Sequence, residues 1–188
     1  MAGDSISLWI VLLCWKISSE MSKFVRTLNL IKINRSAEWL TPSQAQVLVA
    51  LKEALRVPRT VNLCGPAGVG KTFLAWALVD ELDYAYFPHL RHFAQTRQST
   101  APGVIIDNIN PSRQSHRNVL KALQFEDVKC AVLVTRELIR DYTHYVELSL
   151  SSEDRETVFH NLASVGCPIS DSWVPSLWYL VNPSLRRT

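Results

Sequence analysis

The sequence predicts an α/β fold in which a parallel, five-stranded sheet is flanked by helices. Three observations lead to this prediction. Short, β-prone apolar segments alternate with segments of helical periodicity, a glycine-rich segment joins the first predicted strand to a helix, and no internal repeat is present. Strands that alternate with helices build βαβ units, and their parallel sheet is covered by helices on both faces.

The individual elements follow from apolar spacing and from residues that begin or end a helix. Apolar residues recur at helical spacing over Pro42–Leu55, and Thr41 is a suitable cap ahead of a proline at the first position. Ser151 and Asp154 have the spacing of a capping box for a helix that reaches about Val165. The remaining predicted helices are Thr72–Leu82, about Ser115–Gln124, a short one through Ile139, and a last short one bearing Trp173, Leu177 and Trp178. The predicted strands are Thr60–Cys64, Tyr84–Phe87, Val104–Asp107, Cys130–Thr135 and Tyr145–Leu148.

Length and composition indicate an ordinary globular protein. The 188 residues suit one domain with a small appendage, and the net charge of +3 permits an acidic partner without requiring one. The four cysteines are widely spaced and form no CxxC pair, which argues against a zinc site or a disulfide scaffold: Cys14, Cys64, Cys130 and Cys167. We therefore expect a reducing, cytoplasmic setting.

The apolar run Leu8–Trp15 near the N-terminus is too short to span a bilayer, which takes about 20 residues. It also lacks a small-residue cleavage site before Glu20, so it is weak as a signal peptide. Three interpretations stay open: a buried strand or helix, an extension ahead of an alternative start at Met21, or a membrane contact. We expect no membrane span.

The glycine-rich segment matches the pattern G-x-x-x-x-G-K-[ST] in full. It lies between a β-prone run and an amphipathic helix and consists of Gly65, Pro66, Ala67, Gly68, Val69, Gly70, Lys71 and Thr72. Glycines let backbone N–H groups turn inward around phosphates, and the next helix directs its positive N-terminal end at the same anion. In this pattern Lys71 reaches the β- and γ-phosphates, while the Thr72 hydroxyl coordinates Mg²⁺.

A second candidate element is the apolar strand that ends at Asp107. A carboxylate at the C-terminal edge of a neighbouring strand is suited to hold Mg²⁺ beside the phosphates, so Thr72 and Asp107 are the expected metal ligands. Asn108 follows, where many P-loop ATPases have a glutamate that polarises the attacking water. An amide orients water but does not accept its proton at neutral pH, so hydrolysis is expected to be slow, partner-dependent or absent.

A third candidate element is the strand that ends at Thr135. Its hydroxyl would lie near the γ-phosphate or the attacking water, or would instead cap the next helix. Arg136 and Arg140 follow closely, and each is either a phosphate ligand, in its own site or in a neighbouring subunit's site, or an ordinary solvated arginine.

The order of these elements resembles the AAA+ and STAND classes of P-loop ATPases, and the run 145–154 is similar to the strand that leads into their helical lid. The resemblance implies ATP as the nucleotide, a five-stranded P-loop NTPase sheet, and oligomers with sites between subunits. It divides the chain into an N-terminal extension (1–40), a P-loop core (41–150) and a short, lid-like helical segment (151–188). The lid is too short for several helices, which puts a lid-borne sensor arginine in doubt.

The stretch Leu40–Gln44 also resembles the adenine-reading L-T-x-x-Q element of some helicase-like ATPases. Gln44 would then pair with the adenine edge through its amide, or it is simply an exposed glutamine at a helix N-terminus. No Asn-Lys-x-Asp element is present to read guanine, so ATP is preferred over GTP.

Between His89 and Lys121, Asp107 is the only acidic residue. Such a stretch is suited to track a nucleic-acid backbone, but it is equally typical of a solvated loop or of a surface that meets a neighbour. Its basic residues are Arg91, Arg97, Arg113, Arg117 and Lys121. Phe93 and three histidines, His89, His92 and His116, are interleaved with them.

The leading hypothesis is an ATP-binding switch that couples ATP·Mg²⁺ to a conformational change, self-association or assembly with a protein partner. The alternatives are a DNA-transaction ATPase, supported by the basic stretch and Gln44, and a non-hydrolysing regulatory module, favoured by Asn108. A small-molecule kinase is disfavoured by the strand ending at Thr135 and by the terminal helices.

Overall fold

The computed structural model describes residues 25–96, 100–110, 113–125, 127–139 and 144–167, with no description of the side chains of 113–116 and 125. The helices are α1 (25–33), α2 (Pro42–Ala54), α3 (Lys71–Leu82), α4 (Leu90–Gln95), α5 (Arg113–Phe125) and α6 (Ser152–Ser164), with a 3-10 turn at Ala37–Trp39. The strands are β1 (Thr60–Cys64), β2 (Ala85–Phe87), β3 (Val104–Ile109), β4 (Ala131–Thr135) and β5 (Tyr145–Glu147).

All neighbouring strands are parallel, and the order across the sheet is β2-β3-β4-β1-β5. Side chains of a strand alternate between the two faces of a sheet, so each face here has its own apolar cluster. One cluster joins β1 and β4 to α2 and α3, with Val61, Leu63, Val132, Leu51, Leu74 and Leu78 among its members. The other joins β3 and β4 to α4 and α5, with Ile106, Leu133, Phe93, Val119 and Leu123. The predicted parallel α/β sheet is confirmed.

The helix α2 begins and ends close to its predicted bounds. Thr41 Oγ1 accepts from Gln44 N at 3.3 Å and Gln44 Oε1 accepts from Thr41 N at 3.0 Å, which completes a capping box with Pro42 at the first helical position. Reciprocal caps of this kind satisfy backbone donors that the helix itself leaves unpaired.

The helix α6 has the second predicted capping box, and it joins the C-terminal part of the described chain to α2. Asp154 is fully buried; its Oδ2 accepts from Ser151 N at 2.6 Å and its Oδ1 from Ser43 N at 2.9 Å. Asn161 Nδ2 donates to Trp39 O at 2.9 Å. Burial alone would raise the pKa of Asp154, but the hydrogen bonds from Ser151 and Ser43 outweigh it and lower that pKa.

Two predictions about the elements are wrong. The strand β3 continues through Ile109, two residues beyond Asp107, with a register shift between Ile106 and Ile109. Residues 136 and 137 form a bend and 138 and 139 are irregular, where a short helix through Ile139 was predicted. The segment after β2 contains the short helix α4, which was not predicted and whose Phe93 packs on Phe87 with ring centroids 5.1 Å apart.

The helix α1 lies within residues 1–40 and contacts α3. Arg35, just after α1, pairs with Asp80 at 3.0 Å, and Lys32 lies 5.6 Å from the centre of the Trp76 ring. Within the described parts of the chain, no helix is both long and apolar enough to cross a bilayer. The apolar run Leu8–Trp15 and the predicted last helix around Trp173 lie outside the described residues.

Candidate functional site

The glycine-rich loop leaves the C-terminal end of β1 and enters α3 as predicted. Gly65 has φ +147°, and a Cβ there would collide with the carbonyl oxygen of Leu148, so only glycine fits. Gly70 caps α3 in the left-handed region (φ +89°), and having no side chain it leaves the first N–H groups of the helix as backbone donors. The exposed members of the loop are Pro66 and Ala67, whereas Val69 is buried and Gly68 is also left-handed at φ +78°.

Lys71 is the first residue of α3, and its side chain folds back into this loop. Its Nζ donates to Gly65 O and to Pro66 O, both at 2.6 Å, and the residue is only 8% exposed. Burial lowers the pKa of Lys71, the charge of Asp107 acts in the opposite direction, and the charge of Arg136 lowers it further. The ammonium group is thus held by loop carbonyls at the position from which it would reach a polyphosphate.

Asp107 lies beside the loop and not across the sheet from it. Its Oδ2 accepts from Thr72 Oγ1 at 2.7 Å, which places the two predicted metal ligands in direct contact. Because the Thr72 hydroxyl donates its proton to Asp107, its lone pairs are directed elsewhere and remain suited to a cation.

Two further groups donate to the Asp107 carboxylate, which is 2% exposed. Tyr86 Oη donates to Oδ2 at 2.9 Å and Asn108 N donates to Oδ1 at 2.7 Å. The Tyr86 contact was missed by the sequence analysis, because nothing in a three-residue strand marks its central tyrosine. Burial raises the pKa of Tyr86, as do the charge of Asp107 and the hydrogen bond to it, while Trp76 acts in the opposite direction.

These donors suit a hard divalent cation such as Mg²⁺. A hydroxyl and a carboxylate are hard oxygen ligands, and Mg²⁺ is usually held by one or two carboxylates together with substrate phosphates. Over the described ranges no group of three or more His, Cys, Asp or Glu side chains is positioned to form a metal cage. Thr72 and Asp107 are suited to a metal whose other ligands are phosphate oxygens and water.

Asn108 adopts a left-handed conformation at φ +52°, which asparagine tolerates better than most residues. Its side chain is exposed, and Nδ2 donates to Pro88 O at 3.2 Å in the turn between β2 and α4. The residue that follows Asp107 is therefore an amide that is hydrogen-bonded to a neighbouring turn. Its role towards a water molecule stays a prediction.

Thr135 ends β4 as predicted, but its hydroxyl is engaged within the protein. Oγ1 donates to Glu137 O at 2.6 Å and accepts from Asn62 Nδ2 at 2.9 Å. The alternative in which Thr135 caps a following helix is wrong for the described residues, since 136–139 are not helical. Arg136 is exposed, and its charge acts on Lys71 from within the same chain. Arg140 lies outside the described residues.

Asn62, on β1, organises the segment after β4 and was not predicted. It is fully buried; Nδ2 donates to Leu133 O at 3.0 Å as well as to Thr135, and Oδ1 accepts from Ile139 N at 3.0 Å. A polar residue in the middle of an apolar strand was the available signal, because buried amides are nearly always hydrogen-bonded.

Gln44 is brought to the loop, although not as an exposed side chain. It is 2% exposed, Oε1 accepts from Thr41 N at 3.0 Å, and Nε2 donates to Gly70 O at 3.3 Å. The interpretation of an exposed glutamine is therefore wrong. Adenine reading by Gln44 stays a prediction, one in which the amide would share or exchange these bonds.

Only some side chains of the basic stretch between His89 and Lys121 are exposed at the surface. Arg91, Arg117 and Lys121 are exposed, whereas Phe93 is 3% exposed in the core and is not a stacking platform for bases. Arg97 and the side chains of Arg113 and His116 lie outside the described residues.

No protein-family model and no curated protein matches the sequence. Among solved structures, a DNA replication initiation factor matches at 14% identity over 73% of this chain and 58% of its own, with a TM-score of 0.51. DnaA from Aquifex aeolicus bound to AMPPCP matches at 15% identity over 74% of this chain and 55% of its own, with a TM-score of 0.43. The RuvB Holliday junction branch migration motor from Thermotoga maritima matches at 20% identity over 65% of this chain and 49% of its own, with a TM-score of 0.45.

These identities support a likeness of fold alone, and the chain spans only about half of the matched proteins. With the strand order and the glycine-rich loop, the match to the replication initiation factor confirms the expected α/β fold, a parallel five-stranded P-loop NTPase sheet flanked by helices.

Proposed function

We propose that this protein binds ATP together with Mg²⁺ on the loop Gly65–Thr72 and uses that binding to switch its conformation or its assembly with a partner. The observation that carries the proposal is the 2.7 Å hydrogen bond from Thr72 Oγ1 to Asp107 Oδ2, which joins the phosphate loop to the carboxylate of the neighbouring strand. The glycines with positive φ and the inward position of Lys71 support the same conclusion.

Each of these residues has a distinct role in the proposed site. Lys71 exchanges its bonds to the loop carbonyls for bonds to the β- and γ-phosphates, and the N-terminal end of α3 faces the same anion. Thr72 and Asp107 would hold Mg²⁺, which supplies charge neutralisation on the phosphate oxygens. Burial lowers the pKa of Lys71, and a bound polyphosphate would act in the opposite direction by stabilising the charged form.

Hydrolysis in this proposal is weak or depends on a partner. Asn108 occupies the position after Asp107, and its amide donates to Pro88 O. An asparagine side chain is a poor proton acceptor at neutral pH, so activation of water has to come from elsewhere or does not occur. A non-hydrolysing regulatory module is the limiting case of the same proposal.

A continuous set of hydrogen bonds supports coupling between the loop and the proposed lid-like segment, residues 151–188. Gly70 O accepts from Gln44, whose Oε1 caps the start of α2 at Thr41. Ser43 N in the same turn donates to Asp154 at the start of α6. A change at the loop on ATP binding would therefore reach α6 through the first turn of α2, and light scattering with and without ATP·Mg²⁺ tests whether assembly follows.

The proposal is tested by the affinity for a fluorescent ATP analogue in the presence of Mg²⁺. Lys71→Ala removes the ammonium group that faces the phosphates and is expected to weaken binding by roughly 100-fold or more. Lys52→Ala is the matched control, because Lys52 is a surface lysine on α2 paired with Glu81 at 2.6 Å. Retained micromolar affinity in Lys71→Ala would show that the loop is not the phosphate site.

A DNA-transaction ATPase is the second candidate, and α5 is the feature that favours it. Arg117 and Lys121 are exposed and four residues apart, so they lie on one face of a helix that contains no acidic residue. The fold likeness to a DNA replication initiation factor is in keeping with it.

The DNA hypothesis is tested by the salt dependence of binding to duplex and single-stranded DNA. If α5 contacts DNA phosphates, Arg117→Ala and Lys121→Ala each weaken the salt dependence, reducing the magnitude of the slope of log affinity against log salt by about one. Lys52→Ala leaves that slope unchanged. Equal slopes in all the variants would exclude α5 as the DNA-contacting surface.

A further inference from the structure

Tyr86 stands at the point where β2 meets the metal-site carboxylate. It pairs with Ile105 in the register of β2 and β3, and Asp107 lies two residues further along β3 on the same face. Diagonal neighbours on adjacent strands are within reach of long aromatic side chains, and here Tyr86 Oη is 2.9 Å from Asp107 Oδ2.

The tyrosine ring is held by its surroundings. Trp76, on α3, packs against it edge to face with ring centroids 6.3 Å apart, and Tyr86 is half-buried. Trp76 has a further contact of its own, because Lys32 Nζ of α1 lies over its ring, 5.6 Å from the ring centre. The Tyr86 hydroxyl is therefore carried by packed secondary structure rather than by a loop.

With Tyr86 in place, the Asp107 carboxylate is restrained at both oxygens. Oδ2 accepts from Thr72 and Tyr86, and Oδ1 accepts from Asn108 N. A carboxylate has about four acceptor positions, so these three donors fix its rotation and leave one position on Oδ1 for further interactions.

We propose that Tyr86 is a positioning residue that orients the Asp107 carboxylate for Mg²⁺ through its hydrogen bond to Oδ2. This inference rests on the proposed function of the same site. Groups that hydrogen-bond to a metal-site carboxylate set its orientation, and their removal typically weakens metal affinity by about 10–100-fold. Tyr86 acts through Asp107 and does not itself touch the nucleotide.

The test measures ATP-analogue binding as a function of Mg²⁺, with a parallel titration in EDTA, for the full chain. Tyr86→Phe removes only the hydroxyl and is expected to raise the Mg²⁺ concentration required for half-maximal enhancement by roughly tenfold or more, with unchanged affinity in EDTA. Tyr84→Phe is the matched control, because Tyr84 is a buried tyrosine next to the same strand, with its ring against Gly103. It is expected to behave as wild type.

A second variant and a double variant keep the inference testable if Tyr86→Phe folds poorly. Tyr86→Met also removes the hydroxyl, with a side chain that adapts to irregular packing, and is expected to give the same shift in Mg²⁺ dependence. In an Asp107→Asn background, Tyr86→Phe is expected to add no further shift, because the tyrosine acts through the carboxylate.

The outcomes separate this inference from the function on which it rests. Wild-type Mg²⁺ dependence in Tyr86→Phe overturns the inference alone, and so does an equal loss of affinity with Mg²⁺ and in EDTA, which would mark a purely structural role. Failure of the wild-type chain to bind ATP with or without Mg²⁺ overturns the proposed function and this inference together.

Discussion

Asn62 lies in the middle of β1, between β4 and β5, and Asn62→Leu is expected to destabilise the protein by about 3 kcal/mol. The fully buried amide makes hydrogen bonds of 3.0, 2.9 and 3.0 Å with Leu133 O, Thr135 Oγ1 and Ile139 N. Leucine has the same number and branching of side-chain heavy atoms but leaves the Ile139 N–H without this partner at a cost of about 1–3 kcal/mol. The other two lost bonds add about 0.5–1.5 kcal/mol each, and the apolar gain of leucine offsets about 1 kcal/mol.

Thermal unfolding provides the assay. For a chain of this length, a loss of about 3 kcal/mol lowers the melting temperature by roughly 6–12 °C. Asn161→Leu is the matched control, since Asn161 is only half-buried and donates to Trp39 O at 2.9 Å; its expected cost is below about 1 kcal/mol. A melting temperature for Asn62→Leu within about 2 °C of wild type would refute the view that this amide holds β1, β4 and the following segment together.

Two further predictions concern catalysis and the start of α6. Asn108→Glu supplies a proton acceptor after Asp107 and is expected to raise steady-state phosphate release by roughly tenfold or more. The control is Asn118→Glu on the exposed side of α5, which is expected to leave phosphate release unchanged. If Asn108→Glu binds ATP and folds but shows no increase, Asn108 is not what limits hydrolysis. Asp154→Asn is expected to cost about 1–2 kcal/mol at pH 7, with exposed Glu153→Gln as control, measured by urea unfolding. The pKa of Asp154 in the folded protein lies below its ordinary value of 3.8, so the stability difference between wild type and Asp154→Asn is complete above about pH 5. This stability difference disappears as the pH falls through the pKa of Asp154 in the folded protein. A constant stability difference down to about pH 2 would contradict the prediction.

The sequence predicted those features of the fold and site that depend on local patterns. Thr41 and Ser151 cap their helices as expected, and β1 has its predicted bounds, because capping and strand alternation are encoded within a few residues. The glycine-rich loop was likewise predictable, since its backbone conformations require glycine at fixed positions.

The features that sequence reasoning missed depend on contacts between distant segments. Tyr86 reaches Asp107 only because β2 and β3 are neighbours in the sheet, and Asn62 reaches Ile139 across 77 positions of chain. An exposed Gln44 was one of two alternatives, and it is wrong because the Gln44 amide donates to Gly70 O, 26 positions along the chain. No pattern within one element specifies such pairings.

The comparison of ATP with AMP, with and without Mg²⁺, tests the central claim most directly. If the loop and Lys71 bind a polyphosphate, calorimetry will show that ATP binds at least roughly 100-fold more tightly than AMP. If Thr72 and Asp107 hold the metal, Mg²⁺ will strengthen the binding of ATP but not of AMP. Equal affinity for ATP and AMP, or an ATP affinity indifferent to Mg²⁺, would contradict the account.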